Sequence, residues 1–378
     1  MPECESPLWP CAMTGAAACL AGFDGITVVI HGSSGCYYYP ATLLHVPLHG
    51  TFIVENEVIF GSEARLLEVV GEVAGTGNRI AVITTCVPAI LGEDIRSMLE
   101  GYDVLLVDSP GFSGNIEAGY AKALSLLAPT VDPSADGVNI DGVCMFDPFY
   151  RGNIQELRRL LGMASIPVGT TFCCDRLEKT RSASPYTIGT NNDFQSGIGE
   201  YLGDTLGIEA IRSSFQKIGD RFGQSDIAPV EKELMQQEEE IVRVCDKYLR
   251  RFDPPGVVIF AGASYAEFAG QTLARYLDAD IRYIGSRNEP GVSQYRTGFV
   301  AGLGEARTLL EKYEPDLVIG SSFEQSVLKK RAFTGITPPL RGNIRLAPVP
   351  LAGINGTLSF IEHALNACMD SKQQEAIR

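Results

Sequence analysis

The sequence has ten cysteines but no C-x-x-C pair, and only four histidines, at positions 31, 45, 49 and 363. Without local cysteine pairs, a zinc ribbon, a thioredoxin-type redox motif and a bacterial ferredoxin run are excluded. The histidines are too few and too scattered for a His-rich metal site, and neither H-E-x-x-H nor G-x-S-x-G occurs. Also missing is the phosphate-cradling G-x-x-x-x-G-K-[ST], and no G-x-G-x-x-G opens a helix after a strand; Gly75-Thr76-Gly77 stands before a strand, the wrong order. The 40 glycines therefore read as tight turns, and the chain is expected to bind no nucleotide. DPSADGVNID (132–141) lacks the terminal Glu of a calcium loop and reads as a linker. No apolar run reaches the length of a membrane span. Basic stretches are absent as well, and 31 basic against 46 acidic residues give a net charge of −15, so neither nucleic acid nor membrane is an expected partner. MPECESPLWPC carries Glu3 and Glu5 where a secretory signal has basic residues and then an apolar stretch, so a cytoplasmic location is expected.

Short β-branched runs recur instead, most of them stopping at Gly, Ser, Thr or Cys before a helical pattern begins. They are ITVVIHG (26–32), RIAVITTC (79–86), DVLLVDSPG (103–111), GVCMFD (142–147), IPVGTTF (166–172), GVVIFAG (256–262), DIRYIGS (280–286) and DLVIGSS (316–322). Continuously apolar strands alternating with amphipathic helices such as 153–162 and 305–313 indicate an α/β fold with parallel sheets. The 378 residues suffice for two or three domains, and polar stretches suggest where they divide. Three Rossmann-like units are expected at 1–130, 131–252 and 253–345, with a C-terminal segment, 346–378, whose helix (357–368) packs back on the core. The charged helix at 231–252, closed by Asp253-Pro254-Pro255, has the look of a solvated face.

A reducing compartment gives the cysteines no disulfide framework, so they are buried fillers, metal ligands or redox thiols. Cys86 ends the strand RIAVITTC, Cys36 lies in HGSSGC just past ITVVIHG, and Cys11 opens the first unit in WPCAMTGAAA. Ligands of open parallel sheets gather outside the carboxyl ends of the strands, so Cys36 and Cys86 can converge although 50 residues apart. Any one of the three, taken alone, reads equally as a small buried hydrophobe. Cys173 and Cys174 read as strand-end fillers.

CAMTGA (11–16), HGSSGC (31–36), TCVPAILGEDI (85–95), DSPGFSG (108–114) and DLVIGSSFE (316–324) with Lys329-Lys330 beyond it resemble the catalytic-component family of nitrogenase and its relatives, which include the dark-operative protochlorophyllide and chlorophyllide reductases. The order and spacing hold over nearly the whole chain. The resemblance implies a 4Fe-4S cluster at a subunit interface, with Cys11, Cys36 and Cys86 as its ligands, and a separate ATP-hydrolysing iron–sulfur reductase as electron source. The chain is short for a nitrogenase subunit, and Cys245, inside the charged helix, is wrongly placed to hold a second cluster. Within the family it most resembles the small homodimeric archaeal type that reduces and cyclises nickel-sirohydrochlorin a,c-diamide in coenzyme F-430 biosynthesis, the nickel tetrapyrrole of methanogenesis. Reduction of another tetrapyrrole or small molecule, and a non-catalytic scaffold for cluster assembly, are the alternatives. His31, His45 and His49 are candidate proton donors by their nearness to the cluster motifs in sequence. Arg176 and Arg181 are candidate anchors for the carboxylates of such a substrate, and Tyr37, with Tyr38 and Tyr39, a candidate stacking surface.

Overall fold

The computed structural model describes residues 8–328, 331–341, 344 and 346–376; Glu3, Cys4, Glu5 and Lys329-Lys330 lie outside them. The described residues form three sheets in sequence order, and every strand pair among them is parallel. The first contains β1 (Ile26–His31), β2 (His49–Gly50), β3 (Arg79–Thr84) and β4 (Val104–Asp108), ordered β2-β1-β3-β4. In the second, β5 (Val138–Asp141), β6 (Val168–Thr171), β7 (Tyr186–Gly189) and β8 (Glu200–Asp204) are ordered β6-β5-β7-β8. The third has β9 (Gly256–Ala261), β10 (Asp280–Ser286), β11 (Thr297–Phe299), β12 (Leu317–Gly320) and β13 (Ala332–Gly335), ordered β11-β10-β9-β12-β13. The α/β architecture read from the apolar strands is the one observed.

The first sheet is covered on both faces, which is why its strands are apolar throughout rather than alternating. Val28 and Ile30 pack with Ala81, Ile83 and Val107 under the helices Ala12–Leu20 and Ile116–Leu126. Val29, Ile80 and Val82 point the other way, onto Leu66, Val69 and Val70 of the helix Glu63–Ala74. The helices Ala12–Leu20 and Ile116–Leu126 cross almost backbone to backbone at two glycines. A Cβ on Gly15 would stand 1.8 Å from the Ile116 carbonyl oxygen, and one on Gly119 would stand 1.7 Å from that of Ala12. Only glycine permits that approach. The chain just before the first of these helices is tied to the chain just before the second by a bridge between Cys11 and Asn115 and by Ala12 N–H donating to Gly114 O at 2.9 Å.

Two sequence expectations are corrected. GVCMFD (142–147) is not a strand: β5 is Val138–Asp141, and Gly142 ends it with φ +74°, where a side chain would meet the Asn191 backbone at 2.4 Å. The charged helix runs Gln224–Leu249, beginning ahead of the expected start and taking in Pro229. The C-terminal helix spans Gly353–Ala376. Its Phe360, Ile361, Ala364 and Leu365 share one core with Leu157, Leu160, Phe215 and Leu273. The segment leading into it is pinned by Asn153, whose Oδ1 accepts Leu351 N–H at 2.8 Å and Ala352 N–H at 2.9 Å. Among the described residues no helix is long and apolar enough to cross a membrane.

Candidate functional site

Register brings the site together. His31 lies beside Thr84 and Thr84 beside Asp108, so β1, β3 and β4 end level and release their following loops at one edge. Cys36 follows β1 in the first turn of the helix Ser34–Leu44, and Cys86 follows β3 as the first residue of the helix Cys86–Leu91. After β4 comes Gly111, and Cys11, just ahead of the helix Ala12–Leu20, reaches the same place through its tie to Asn115. The Cys11 and Cys86 sulfurs both face Gly111: a Cβ there would lie 3.1 Å from Cys86 Sγ and 3.2 Å from Cys11 Sγ. Gly111 N–H donates to Cys86 Sγ at 3.0 Å, and Ser33 Oγ–H donates to Cys36 Sγ at 3.6 Å. Cys11 and Cys36 pack against the same core. The helix Ser34–Leu44, which carries Cys36, packs beside the helix Ala12–Leu20 that Cys11 precedes.

All three thiols are half-buried, and all nine described cysteines are free. Among the described residues no three His, Cys, Asp or Glu side chains gather as a single metal ion requires. An iron–sulfur cluster asks for something else, since each thiolate binds its own iron and the sulfurs stand farther apart. A glycine cradle facing two sulfurs, with backbone and hydroxyl donors aimed at thiols, fits such a group.

His31 is fully buried in a hydrogen-bonded cluster. Ser62 Oγ–H donates to Glu93 Oε2 at 2.6 Å and Ser62 N–H donates to Glu93 Oε1 at 2.8 Å. With its proton so committed, Ser62 Oγ, 3.1 Å from His31 Nε2, is the acceptor there, which places the imidazole hydrogen on Nε2. Nδ1 then accepts from Thr51 Oγ1 at 3.1 Å, and Thr51 Oγ1 in turn accepts Gly32 N–H at 3.0 Å. Burial pushes His31 down to about 4, against the pull of Glu93. The ring is therefore neutral, with both nitrogens engaged, and it ties the loop bearing Cys36 to the segment that follows Cys86.

The other candidates are scattered. His45 is exposed at the end of the helix Ser34–Leu44, and His49 begins β2. Tyr37 packs edge-on against Phe52 with ring centroids 4.8 Å apart, whereas Tyr38 and Tyr39 are exposed. Arg176 and Arg181 do not join the cysteines. Arg176 is bridged to Asp24, ahead of β1, so it lies at the opposite end of the first sheet, about 20 Å away along a strand rising 3.3 Å per residue, and Arg181, also exposed, lies beside Thr130, whose Oγ1–H donates to its carbonyl oxygen at 2.7 Å. Cys173 is fully buried with its sulfur 3.3 Å from Cys19 Sγ, and Cys245 is buried in the core shared by the second and third sheets.

Sequence reading passed over Gly111, Ser62, Glu93 and Glu117. Gly111 and Glu93 sit in the motifs DSPGFSG and GEDI, so their signal was present but its role was not, and Ser62 lies in no motif. Glu117 carries no motif: it accepts Trp9 Nε1–H and Asn288 Nδ2–H, each at 2.9 Å, and burial pushes it up to about 7.

Residues 11–369 match the family described as Nitrogenase component 1 type Oxidoreductase. The chain is 28% identical over 189 residues to the nitrogenase molybdenum-iron protein beta chain of Frankia alni, a match covering 43% of this chain and 36% of that one. It thus spans about a third of the length of that beta chain. Longer matches are to the nitrogenase iron-molybdenum cofactor biosynthesis protein NifE of Clostridium pasteurianum, 23% identical over 73% of this chain and 68% of that one. The alpha chain of the nitrogenase molybdenum-iron protein of Methanothermobacter marburgensis is 23% identical over 87% of this chain and 83% of its own. A solved structure described as nitrogenase Cp1 at pH 6.5 shares the fold with a TM-score of 0.82 at 15% identity, covering 98% of this chain and 94% of that one. With the match running from Cys11 to Met369, the chain belongs to the nitrogenase component 1 type oxidoreductase family.

Proposed function

We propose that the chain is the catalytic iron–sulfur component of an ATP-dependent, nitrogenase-like reductase that reduces nickel-sirohydrochlorin a,c-diamide and closes its lactam ring in coenzyme F-430 biosynthesis. The observation that carries the reading is the turning of the Cys11 and Cys86 sulfurs onto Gly111, with Cys36 on a helix packed beside the one that Cys11 precedes. Cys11, Cys36 and Cys86 are the proposed ligands of a 4Fe-4S cluster, which when bound supplies one-electron transfer. The chain's own work is to hold three soft, anionic donors with their hydrogen bonds in place, and to position substrate.

The cysteine edge also carries exposed apolar side chains: Ile59 (69%) and Phe60 (84%), Ile90 (73%) on the helix of Cys86, and Phe112 (65%) beside Gly111. Large apolar groups left exposed together mark a surface for another protein. They support a homodimer with the cluster near its axis, and docking of the separate reductase that hydrolyses ATP. The absence of a phosphate-binding glycine motif in this chain agrees with that division of labour.

Anaerobically purified protein is expected to contain iron and sulfide in comparable amounts, and a Cys36→Ala variant much less; no iron in the wild type ends the cluster reading. Incubation with nickel-sirohydrochlorin a,c-diamide, reductant, ATP and the reductase should change the tetrapyrrole absorption. Unchanged absorption with the cluster intact sinks the substrate assignment. The long match to a cofactor biosynthesis protein favours a second reading, a scaffold on which a metal cluster is built. That reading predicts transfer of metal to an acceptor protein and no ATP-dependent turnover.

A further inference from the structure

The long charged helix Gln224–Leu249 and the C-terminal helix Gly353–Ala376 lie side by side, with Ile241, Cys245 and Tyr248 of the first and Ile361, Leu365 and Cys368 of the second in one core. They run in the same direction, because Tyr248 and Asp253, at and just past the end of the first, line a cleft with Cys368 and Lys372 towards the end of the second. On their outer side the two helices leave a groove of about 620 Å³, floored by Ile241, Leu358, Ile361, Leu365 and Met369. Val244, 40% exposed, stands midway along it. An apolar trough between two helices is the shape that receives the side-chain ridge of a further helix.

Charge is divided along this groove. Glu240 and Glu362 stand on the earlier half of the two helices, Lys247 and Arg251 on the later half. Gln237 is seven residues before Val244 and Arg251 seven after it, so all three share one helix face. A two-fold axis at Val244 that lays the helix of a second copy antiparallel on this one sets Gln237 against Arg251 of that copy and Glu240 against its Lys247. Each contact of such an interface occurs twice, so the acids and bases of one groove match the bases and acids of the other. Glu240 is paired on its own helix with Arg243 at 2.5 Å, but both side chains are exposed, and a pair of that kind contributes little and is readily exchanged.

Other occupants fit less well. Among the described residues, no buried side-chain nitrogen or oxygen left without a partner lines the groove, so nothing in it calls for a small polar ligand. With two acids and two bases on its rim, it has no attraction for an anionic membrane. We propose that the groove is a self-association face, on which the helix pair of a second copy of this chain packs antiparallel about a two-fold axis at Val244. This face belongs to the second and third sheets, apart from the cysteine edge of the first, and it stands independently of the reductive function proposed above.

Sedimentation equilibrium of the full chain under anaerobic conditions tests it. The particle mass of the wild type should fall by half in Val244→Asp, which places two charges against each other at the axis, and the association through this face should weaken by about 100-fold. Lys247→Glu should also separate the copies, and the double variant Glu240→Lys, Lys247→Glu, which exchanges the two charges, should restore the wild-type mass. Iron content and far-ultraviolet circular dichroism should be the same in all four proteins, since the cysteine edge lies elsewhere. If Val244→Asp fails to fold, Lys247→Glu and its charge exchange decide. A wild-type mass equal to that of the variants, or a separation that the charge exchange leaves unrepaired, overturns the proposal. So does a groove that takes up the partner reductase instead, seen as reductase binding lost in Lys247→Glu while the mass of this chain alone is unchanged.

Discussion

At Gly111 the nearest side-chain atoms are two cysteine sulfurs, and its backbone needs no left-handed conformation, so alanine is allowed by the chain but not by the site. A Gly111→Ala variant should fold with a melting temperature close to that of the wild type and lose most of its iron after anaerobic purification. Retention of full iron content would show that the methyl group is accommodated and that the cradle is not needed. His31 has a different signature. Its folded value of about 4 lies below the ordinary 6.5, so the fold favours the neutral ring. That contribution is complete above pH 6.5 and is lost as pH falls towards 4, because the unfolded chain then binds a proton that the folded chain refuses. Unfolding by urea at about pH 7 and about pH 4.5 should show a fall in stability larger by about 1–3 kcal/mol in the wild type than in His31→Gln.

Elements differ in how plainly they announced themselves. β1, β3, β9 and β12 are runs of Val and Ile buried on both faces, and a sequence can hardly hide them. β2, β7, β8, β11 and β13 are two to five residues long with Gly, Thr, Asp or His in their ladders, and they are strands because a neighbour in the sheet pairs with them. Propensity is overridden there by tertiary pairing. The placement of Cys36 and Cys86 beyond strand ends was legible because the strands were; the end of the sheet reached by Arg176 was not, since β6 enters at the edge of a different sheet. Nor did GEDI disclose that its Glu93 would close a network with His31 and Ser62 across two connections. Glu93→Ala would leave the Ser62 N–H and hydroxyl without their acceptor at a buried position. A loss of about 1–3 kcal/mol in denaturant unfolding is expected, and Glu93→Gln should recover part of it.

Across the whole molecule, the second and third sheets are welded through buried polar groups as well as through their shared core. Asn153 donates to Tyr265 Oη at 3.0 Å while its carbonyl oxygen holds the two N–H groups that lead into the C-terminal helix. Asn153→Ala strands both, and a stability loss of about 2–5 kcal/mol should appear as an earlier unfolding midpoint; a shift below about 0.5 kcal/mol would mean that water replaces the side chain. Parallel pairing throughout has one more consequence. No two of these strands are joined by a hairpin, so β1 meets β3 across the intervening helices, and the approach of Cys11 to Cys86 closes a long stretch of chain. Such pairing spends loop entropy before contacts repay it and is slow. The proposed ligands are thus brought together only by pairing between distant stretches of chain, and on the cluster reading proposed above metal loading is expected to follow the completion of the first sheet.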